Sequence, residues 1–240
     1  MKVIILAGGI GKRYNMGLIE KENIPKCLLP VKSNYSILRM NLKNILRQKE
    51  ISKVLIVTGF KKNLIEDHLE TWFYGQGNIQ TIYNPEYNKS VIFSVKKGFE
   101  SINWNDSILL LNGDTYFDVE IISKAVHLAR TNKNTITLFG CKTFEFYGDD
   151  MLLNIQDNIV LNVGKKIRNA NGVSSGAILL CNGGLMRYME TINLQPIARL
   201  NTHHGILQFL IKKGINIDFI NFGARKWIEV DKKTDLERFK

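Results

Sequence analysis

Up to residue 140, short apolar runs alternate with stretches whose apolar residues recur at helical spacing, and few folds satisfy both patterns at once. The runs fall at 3–7, 54–57, 79–83, 108–111 and 135–139. Between them lie 37–46, entered through Ser36 as a helix N-cap, then 64–72, 91–99 and 121–129. Unbroken apolar runs suit strands covered on both faces, and a helix between them supplies the long crossover that parallel pairing requires. The pattern predicts an α/β fold: a Rossmann-like, doubly wound, mostly parallel sheet with helices on both faces. Beyond residue 140, strand candidates crowd together at 151–155, 159–163 and 176–180, which predicts a smaller, mixed and more antiparallel lobe. Helices are expected at 184–191, 206–213 and 232–239, and late strands at 215–220 and 227–230. Hydrophobic residues make up 45% of the chain, enough to bury a full core. No linker, repeat or low-complexity stretch divides residues 1–240, so one domain is expected.

In doubly wound sheets ligands bind at the carboxyl ends of the strands. The first such end carries Gly8-Gly9-Ile10-Gly11-Lys12-Arg13, and Pro25-Lys26 follows before a second apolar run. Glycines let backbone N–H groups close on phosphate oxygens. Lys12 and Arg13 would then add charge-assisted bonds. The same residues also suit a plain strand-to-helix turn with surface cations. Two familiar phosphate loops do not fit. A Walker A loop needs glycine where Leu6 stands and Ser or Thr where Arg13 stands, and a dinucleotide fingerprint begun at Gly9 needs glycine at Tyr14.

The formal net charge is +11, with the cations spread along the chain. That balance points to an anionic partner such as a polyphosphate, and away from a basic nucleic-acid tail. It also suits a solvated basic face that only aids solubility. Cys27, Cys141 and Cys181 are far apart and form no CxxC pair, so neither a disulfide framework nor a zinc site is expected. The run at 3–7 is too short for a signal peptide. No apolar run approaches the roughly 20 residues of a membrane span. The expectation is a cytoplasmic protein with neither nucleic acid nor membrane as a partner.

Leu6-Ala7-Gly8-Gly9-Ile10-Gly11-Lys12-Arg13, followed by Ile24-Pro25-Lys26, resembles the signature of the nucleotidyltransferases that make nucleoside-diphosphate sugars and cytidine-diphosphate compounds. Their pattern reads L-A-[AG]-G-x-G-[ST]-R, then P-K; here Lys12 stands at the Ser/Thr position and the spacer before Pro25 is long. Four further stretches resemble the bacterial cytidylyltransferases of the phosphocholine and phosphoglutamine type. They are Tyr83-Asn84-Pro85-Glu86-Tyr87 with Ile92-Phe93-Ser94, Leu111-Asn112-Gly113-Asp114, Gly164-Lys165 with Ser175-Gly176, and Trp227-Ile228-Glu229-Val230-Asp231.

The resemblance implies the nucleotide-diphospho-sugar transferase fold and a Mg²⁺-dependent transfer of CMP from CTP to a phosphorylated small molecule, with pyrophosphate released. Phosphocholine, phosphoglutamine and phosphonates are the acceptor classes it suggests. It implies that Leu6, Ala7, Gly8, Gly9, Gly11, Lys12 and Arg13 bind the nucleotide together with Asn84, Ser94, Asn112 and Gly113, with Gly8, Gly9 and Gly11 holding its triphosphate. Lys26 and Arg13 become the catalytic cations, and Asp114, Glu229 and Asp231 the Mg²⁺ ligands. Lys165, Tyr116, Ser175 and His204 fall on the acceptor side. Such chemistry brings two repelling phosphates together, so cations, backbone amides and a hard metal ion are the parts it needs.

Each part has a plainer reading as well. Asp114 after Asn-Gly suits a turn. Glu229 and Asp231 suit a solvated strand edge, or Asp231 a helix N-cap. Lys165 suits the surface, Asp118 a helix N-cap, and Asp149-Asp150 a turn. His203-His204, ahead of a helix, are candidates for the acceptor side and not for zinc. A sugar-1-phosphate guanylyl- or uridylyltransferase is the alternative enzyme. A nucleotide-binding regulatory protein is the alternative outside catalysis. A glycosyltransferase is disfavoured, because the DxD motif is missing while the Gly8–Arg13 loop is present.

Overall fold

The computed structural model describes residues 1–11, 13–16, 23–32, 35–103, 105–132, 135–196, 200 and 202–239. The first part of the chain runs β1 (Lys2–Leu6), β2 (Pro30–Lys32), β3 (Tyr35–Ser36), α1 (Ile37–Leu46), β4 (Lys53–Thr58), α2 (Lys62–Phe73), β5 (Ile79–Tyr83), α3 (Val91–Phe99), β6 (Ser107–Asn112), β7 (Thr115–Phe117) and α4 (Val119–Thr131). There follow β8 (Ile136–Lys142), β9 (Leu152–Gln156), β10 (Ile159–Gly164), β11 (Gly172–Cys181), α5 (Gly183–Leu194), α6 (His203–Lys212), β12 (Asp218–Asn221) and β13 (Trp227–Glu229).

One nine-stranded sheet carries the order β5-β4-β1-β6-β11-β8-β12-β10-β9. The first four strands pair in parallel. β11 runs antiparallel to both β6 and β8. The mixed part of the chain therefore continues the parallel part edge to edge. Alternate residues of β1 feed opposite cores, Val3 and Ile5 on one side, Ile4 and Leu6 on the other. α1, α2 and α4 cover the first side through Leu42, Ile65 and Ile121, and α3, α5 and α6 cover the second through Val95, Leu185 and Leu207. This is the doubly wound arrangement that the alternation of runs predicted. Each fully buried Leu or Ile contributes roughly 1.5–3 kcal/mol.

Ser36 caps α1 by accepting from the Arg39 N–H, and Asp118 caps α4 by accepting from the Glu120 N–H, as their positions before apolar periodic segments suggested. Two expectations need correction. Residues 232–239, expected as a helix of ordinary pitch, form a tighter 3-10 segment, Lys233–Phe239. His203 and His204 do not precede the helix; they are its first two residues. The late strand expected at 227–230 forms as β13, outside the main sheet; it pairs with β7, a three-residue strand too short to show in the sequence, with Glu229 opposite Thr115. Among the described residues no helix is long and apolar enough to cross a membrane.

Register places the site. β1 ends beside β4 and β6 with Leu6 opposite Val57 and Asn112. The Gly8-Gly9 turn thus emerges beside Asn112-Gly113-Asp114. The Gly113 N–H donates to the Leu6 carbonyl at 3.0 Å, and a Cβ at Gly113 would lie 2.6 Å from that oxygen. Only glycine lets the two strand ends approach this closely.

Candidate active site

A cleft of about 420 Å³ opens over these strand ends. Leu6, Ala7, Gly8 and Gly9 line it from β1, and Asn112, Gly113 and Asp114 from β6. Lys26 enters from the 3-10 turn Lys26–Leu28, Lys165 from the end of β10, and Glu229 from β13. Arg13, Ser94 and His204 complete the expected residues that face it.

Lys26 is the centre of the charge arrangement. Its Nζ pairs with the Asp114 carboxylate, sits 3.1 Å from Asp231 Oδ1, and donates to the Val230 carbonyl at 2.9 Å. Burial pulls the ammonium's pKa down, but Asp114 and Asp231 outweigh burial, so the net shift is upward and Lys26 stays charged. Asp231 is buried and shared: Arg13 Nη2 meets the same Oδ1 at 3.0 Å. The Asp231 backbone N–H donates to Asp235 at 2.8 Å, which fixes the turn and leaves the side chain to the two cations.

Asp114, Glu229 and Asp231 bring carboxylate oxygens within 4.8 Å of one another. Glu229 has solvent-exposed surface, yet protein crowds its carboxyl. That desolvation, reinforced by Asp114 and Asp231, pushes its pKa up to about 7 against the opposing pull of Lys26 and Lys165. Three mutually repelling carboxylates on strand ends are an all-oxygen donor set, the kind that hard divalent cations take. The residues fit a metal ion, and neutralising this repulsion is what such an ion would do there.

Other expected residues fall elsewhere. Gly11 does not line the cleft. It holds a positive φ of 66°, and a Cβ there would lie 2.8 Å from Lys26 Cγ, so its service is room for that lysine. Asn84 is buried, donating to Ser94 Oγ at 3.0 Å and accepting from the Glu86 N–H, and so braces the turn behind Ser94. Ser175 points away from the cleft, donating to the Phe139 carbonyl at 2.8 Å; alternation along β11 gives the cleft Ser174 instead. Tyr116 packs edge-on against Phe239, in the small core with Leu29 and Val230. Lys12 lies outside the described residues.

Asp149 was expected only to turn the chain. It also accepts from Arg13 Nη1 at 2.5 Å, and its backbone carbonyl accepts from Lys165 Nζ. One exposed residue thus clasps the cation from the first loop and the cation from the far wall. Thr202, His203 and Ser174 line the far wall as well, with Ser174 Oγ 2.8 Å from His204 Nε2.

Residues 3–144 match the model of the MobA-like NTP transferase domain, and the chain belongs to that family of nucleotidyltransferases. A search of curated protein sequences finds no match. Three similar solved structures cover nearly all of the chain. The inositol-1-phosphate CTP transferase of T. maritima has a TM-score of 0.76 at 17% identity, over 99% of this chain and 93% of that one. The CTP:phosphocholine cytidylyltransferase of Streptococcus pneumoniae has a TM-score of 0.75 at 16% identity, over 99% and 96%. HddC of Yersinia pseudotuberculosis, solved with GMP-PN, has a TM-score of 0.72 at 20% identity, over 100% and 99%. At these identities the likeness establishes the fold.

Proposed function

We propose that this nucleotidyltransferase moves CMP from CTP to a phosphorylated small molecule and releases pyrophosphate. The observation that carries the reading is the meeting of Lys26 with Asp114 and Asp231 beside the Gly8-Gly9 turn. An acceptor phosphate oxygen attacks the α-phosphorus of the triphosphate. The new P–O bond forms as the bond from the α-phosphorus to the β-bridging oxygen breaks, and pyrophosphate leaves with that electron pair. No side-chain nucleophile takes part.

The Gly8-Gly9 backbone takes the triphosphate at the carboxyl end of β1, with Arg13 beside its outer phosphates. Lys26 stands between the α-phosphate and the incoming phosphate and screens their repulsion. Lys165 takes the acceptor phosphate. Asp114, Glu229 and Asp231 would hold Mg²⁺, which supplies charge neutralisation to the leaving pyrophosphate when bound.

CTP is supported by the Asn84–Tyr87 and Trp227–Asp231 stretches, which resemble cytidylyltransferases, and by the two CTP enzymes among the similar structures. A sugar-1-phosphate guanylyl- or uridylyltransferase is the second reading, favoured by the likeness to HddC with its guanine nucleotide analogue. Pyrophosphate release with Mg²⁺, crossing CTP, UTP, GTP and ATP against the phosphate acceptors, tests both. Turnover with CTP supports the first. Turnover only with GTP or UTP and a sugar phosphate replaces it with the second.

A further inference from the structure

The Gly8–Gly11 turn and Lys26 belong to different stretches of chain, yet the proposed reaction needs them at a fixed spacing. Residues 8–11 leave the end of β1, and Lys26 opens the 3-10 turn Lys26–Leu28 after a long excursion. Among the described residues no backbone–backbone hydrogen bond joins residues 8–16 to residues 23–26. A side chain does so instead. Asn15 Nδ2 donates to the Ile10 carbonyl at 2.9 Å and to the Ile24 carbonyl at a longer 3.4 Å. The Asn15 backbone N–H donates to the Gly11 carbonyl at 3.0 Å, so the side chain is itself anchored to the turn. One amide group thus clamps the two ends of the excursion together.

Asn15 is only 5% exposed and does not line the cleft, so it works without touching a substrate. Its amide faces two carbonyl oxygens, and only the NH₂ end can answer both. That orientation leaves Oδ1 buried with no partner among the described residues. A buried acceptor without a donor is unfavourable, and an apolar side chain here would avoid it. What the asparagine supplies and an apolar residue cannot is the pair of donors. The surroundings leave the clamp little play. Tyr14 and Ile24, on either side of it, pack on the small core of Leu29, Val230 and Phe239. The Val230 carbonyl accepts from Lys26 Nζ at 2.9 Å, and the Asn23 carbonyl from Lys61 Nζ at 2.6 Å. A Cβ at Gly11 would lie 2.8 Å from Lys26 Cγ and 3.4 Å from Asn15 Nδ2, so turn, clamp and lysine stem are in contact. A shift of the turn therefore moves the lysine.

We propose that Asn15 is a positioning residue for nucleotidyl transfer: its amide sets the spacing between the Gly8–Gly11 turn and Lys26, and so aligns the lysine with the reacting phosphates. It acts on the chemical step through Lys26 and not on the binding of nucleotide. This inference rests on the nucleotidyl-transfer reading and adds a residue to it.

The test compares nucleotide affinity by calorimetry with single-turnover kinetics, using Mg²⁺ and the nucleotide and acceptor pair that releases pyrophosphate. Asn15→Leu removes both donors and the unpaired acceptor together. The chemical step should slow by roughly 10–100-fold, while nucleotide affinity changes by no more than about threefold. In a Lys26→Ala background the same substitution should cost less than about threefold, because the lysine that it places has gone. A wild-type chemical step in a folded Asn15→Leu protein overturns the inference. So does a loss of affinity as large as the loss of rate, or costs that simply multiply in the double variant. If Asn15→Leu does not fold, Asn15→Ala answers the same questions. If no nucleotide supports turnover, the nucleotidyl-transfer reading fails, and acetylation by acetic anhydride then decides the placement of Lys26; it also decides where Lys26→Ala is too slow to measure. Severalfold faster acetylation of Lys26 in the Asn15 variant, with Lys2 at the opposite end of β1 unchanged, keeps the inference. An unchanged rate at Lys26 sinks it.

Discussion

Lys26 and Asp231, 205 residues apart in sequence, meet with Nζ 3.1 Å from Oδ1. The lysine is therefore the built-in counter-charge of the acidic cluster as well as a cation that lines the cleft. Removing it should do two separable things. Lys26→Ala leaves Asp114, Glu229 and Asp231 facing one another, and the fold should lose about 1–3 kcal/mol. Much of that loss should return on adding millimolar Mg²⁺, as read from melting curves. In single-turnover kinetics the chemical step should fall far more than CTP affinity. The reverse pattern would make Lys26 a binding residue only.

Asp114→Ala removes a carboxylate from a strand end without opening the core. Turnover should fall by more than the roughly 10–100-fold that loss of a supporting residue costs a metal site. The melting temperature should stay close to wild type, because one of three repelling carboxylates has gone. A folded Asp114→Ala protein with near-normal turnover would refute the metal assignment.

Asp149→Asn tests the clasp. Its ion pair with Arg13 joins two exposed side chains, so stability should change by no more than about 0.5 kcal/mol. CTP should bind severalfold tighter, because Arg13 no longer holds a competing anion. Weaker binding in calorimetry would mean that Asp149 orients the two cations instead of occupying them.

The buried histidines give a pH signature with a definite sign. His203 is lowered from 6.5 to about 4. Between those values the unfolded chain binds a proton that the native chain does not, so stability falls as pH drops from 6.5 towards 4. A shift of that size corresponds to about 3 kcal/mol at the acid end. His204, lowered in the same direction by burial and by His203 and Lys165, adds to the slope. Denaturant titrations across this range should show the fall, and His203→Phe should flatten it in part. An unchanged slope in that variant would show that other groups carry the acid sensitivity.

The sequence made the parallel half of the fold legible because periodicity and burial agree there. Ile79–Tyr83 and Val91–Phe99 have the expected bounds, and Ser36 and Asp118 cap the helices that follow them. What escaped was short or distant. β7 has three residues, too few for a period to register, yet it pairs with β13 and so sets Glu229 beside Asp114. The contact of Asp149 with Arg13 spans 136 residues and leaves no local mark. Ser174 and Ser175 differ only in the parity of a strand, and an irregular register in β11 between Ser174 and Ile178 hides that parity from the sequence. His203 and His204 look alike as a pair and are equally buried; only bonding separates them.

The sheet order has a consequence for how the protein comes into being on the ribosome. β1, β4, β5 and β6 make a contiguous block, so a nascent chain can build the Gly8-Gly9 turn and present Asp114 early. β11 must then slot between β6 and β8, and β12 between β8 and β10, and only afterwards does the chain reach β13, which brings Glu229 and Asp231 back to β7. Until that happens Lys26 has only Asp114 for company. The growing polypeptide can assemble the Gly8-Gly9 turn beside Asp114 long before Glu229 and Asp231 arrive, so the acidic cluster closes well after the turn that it faces.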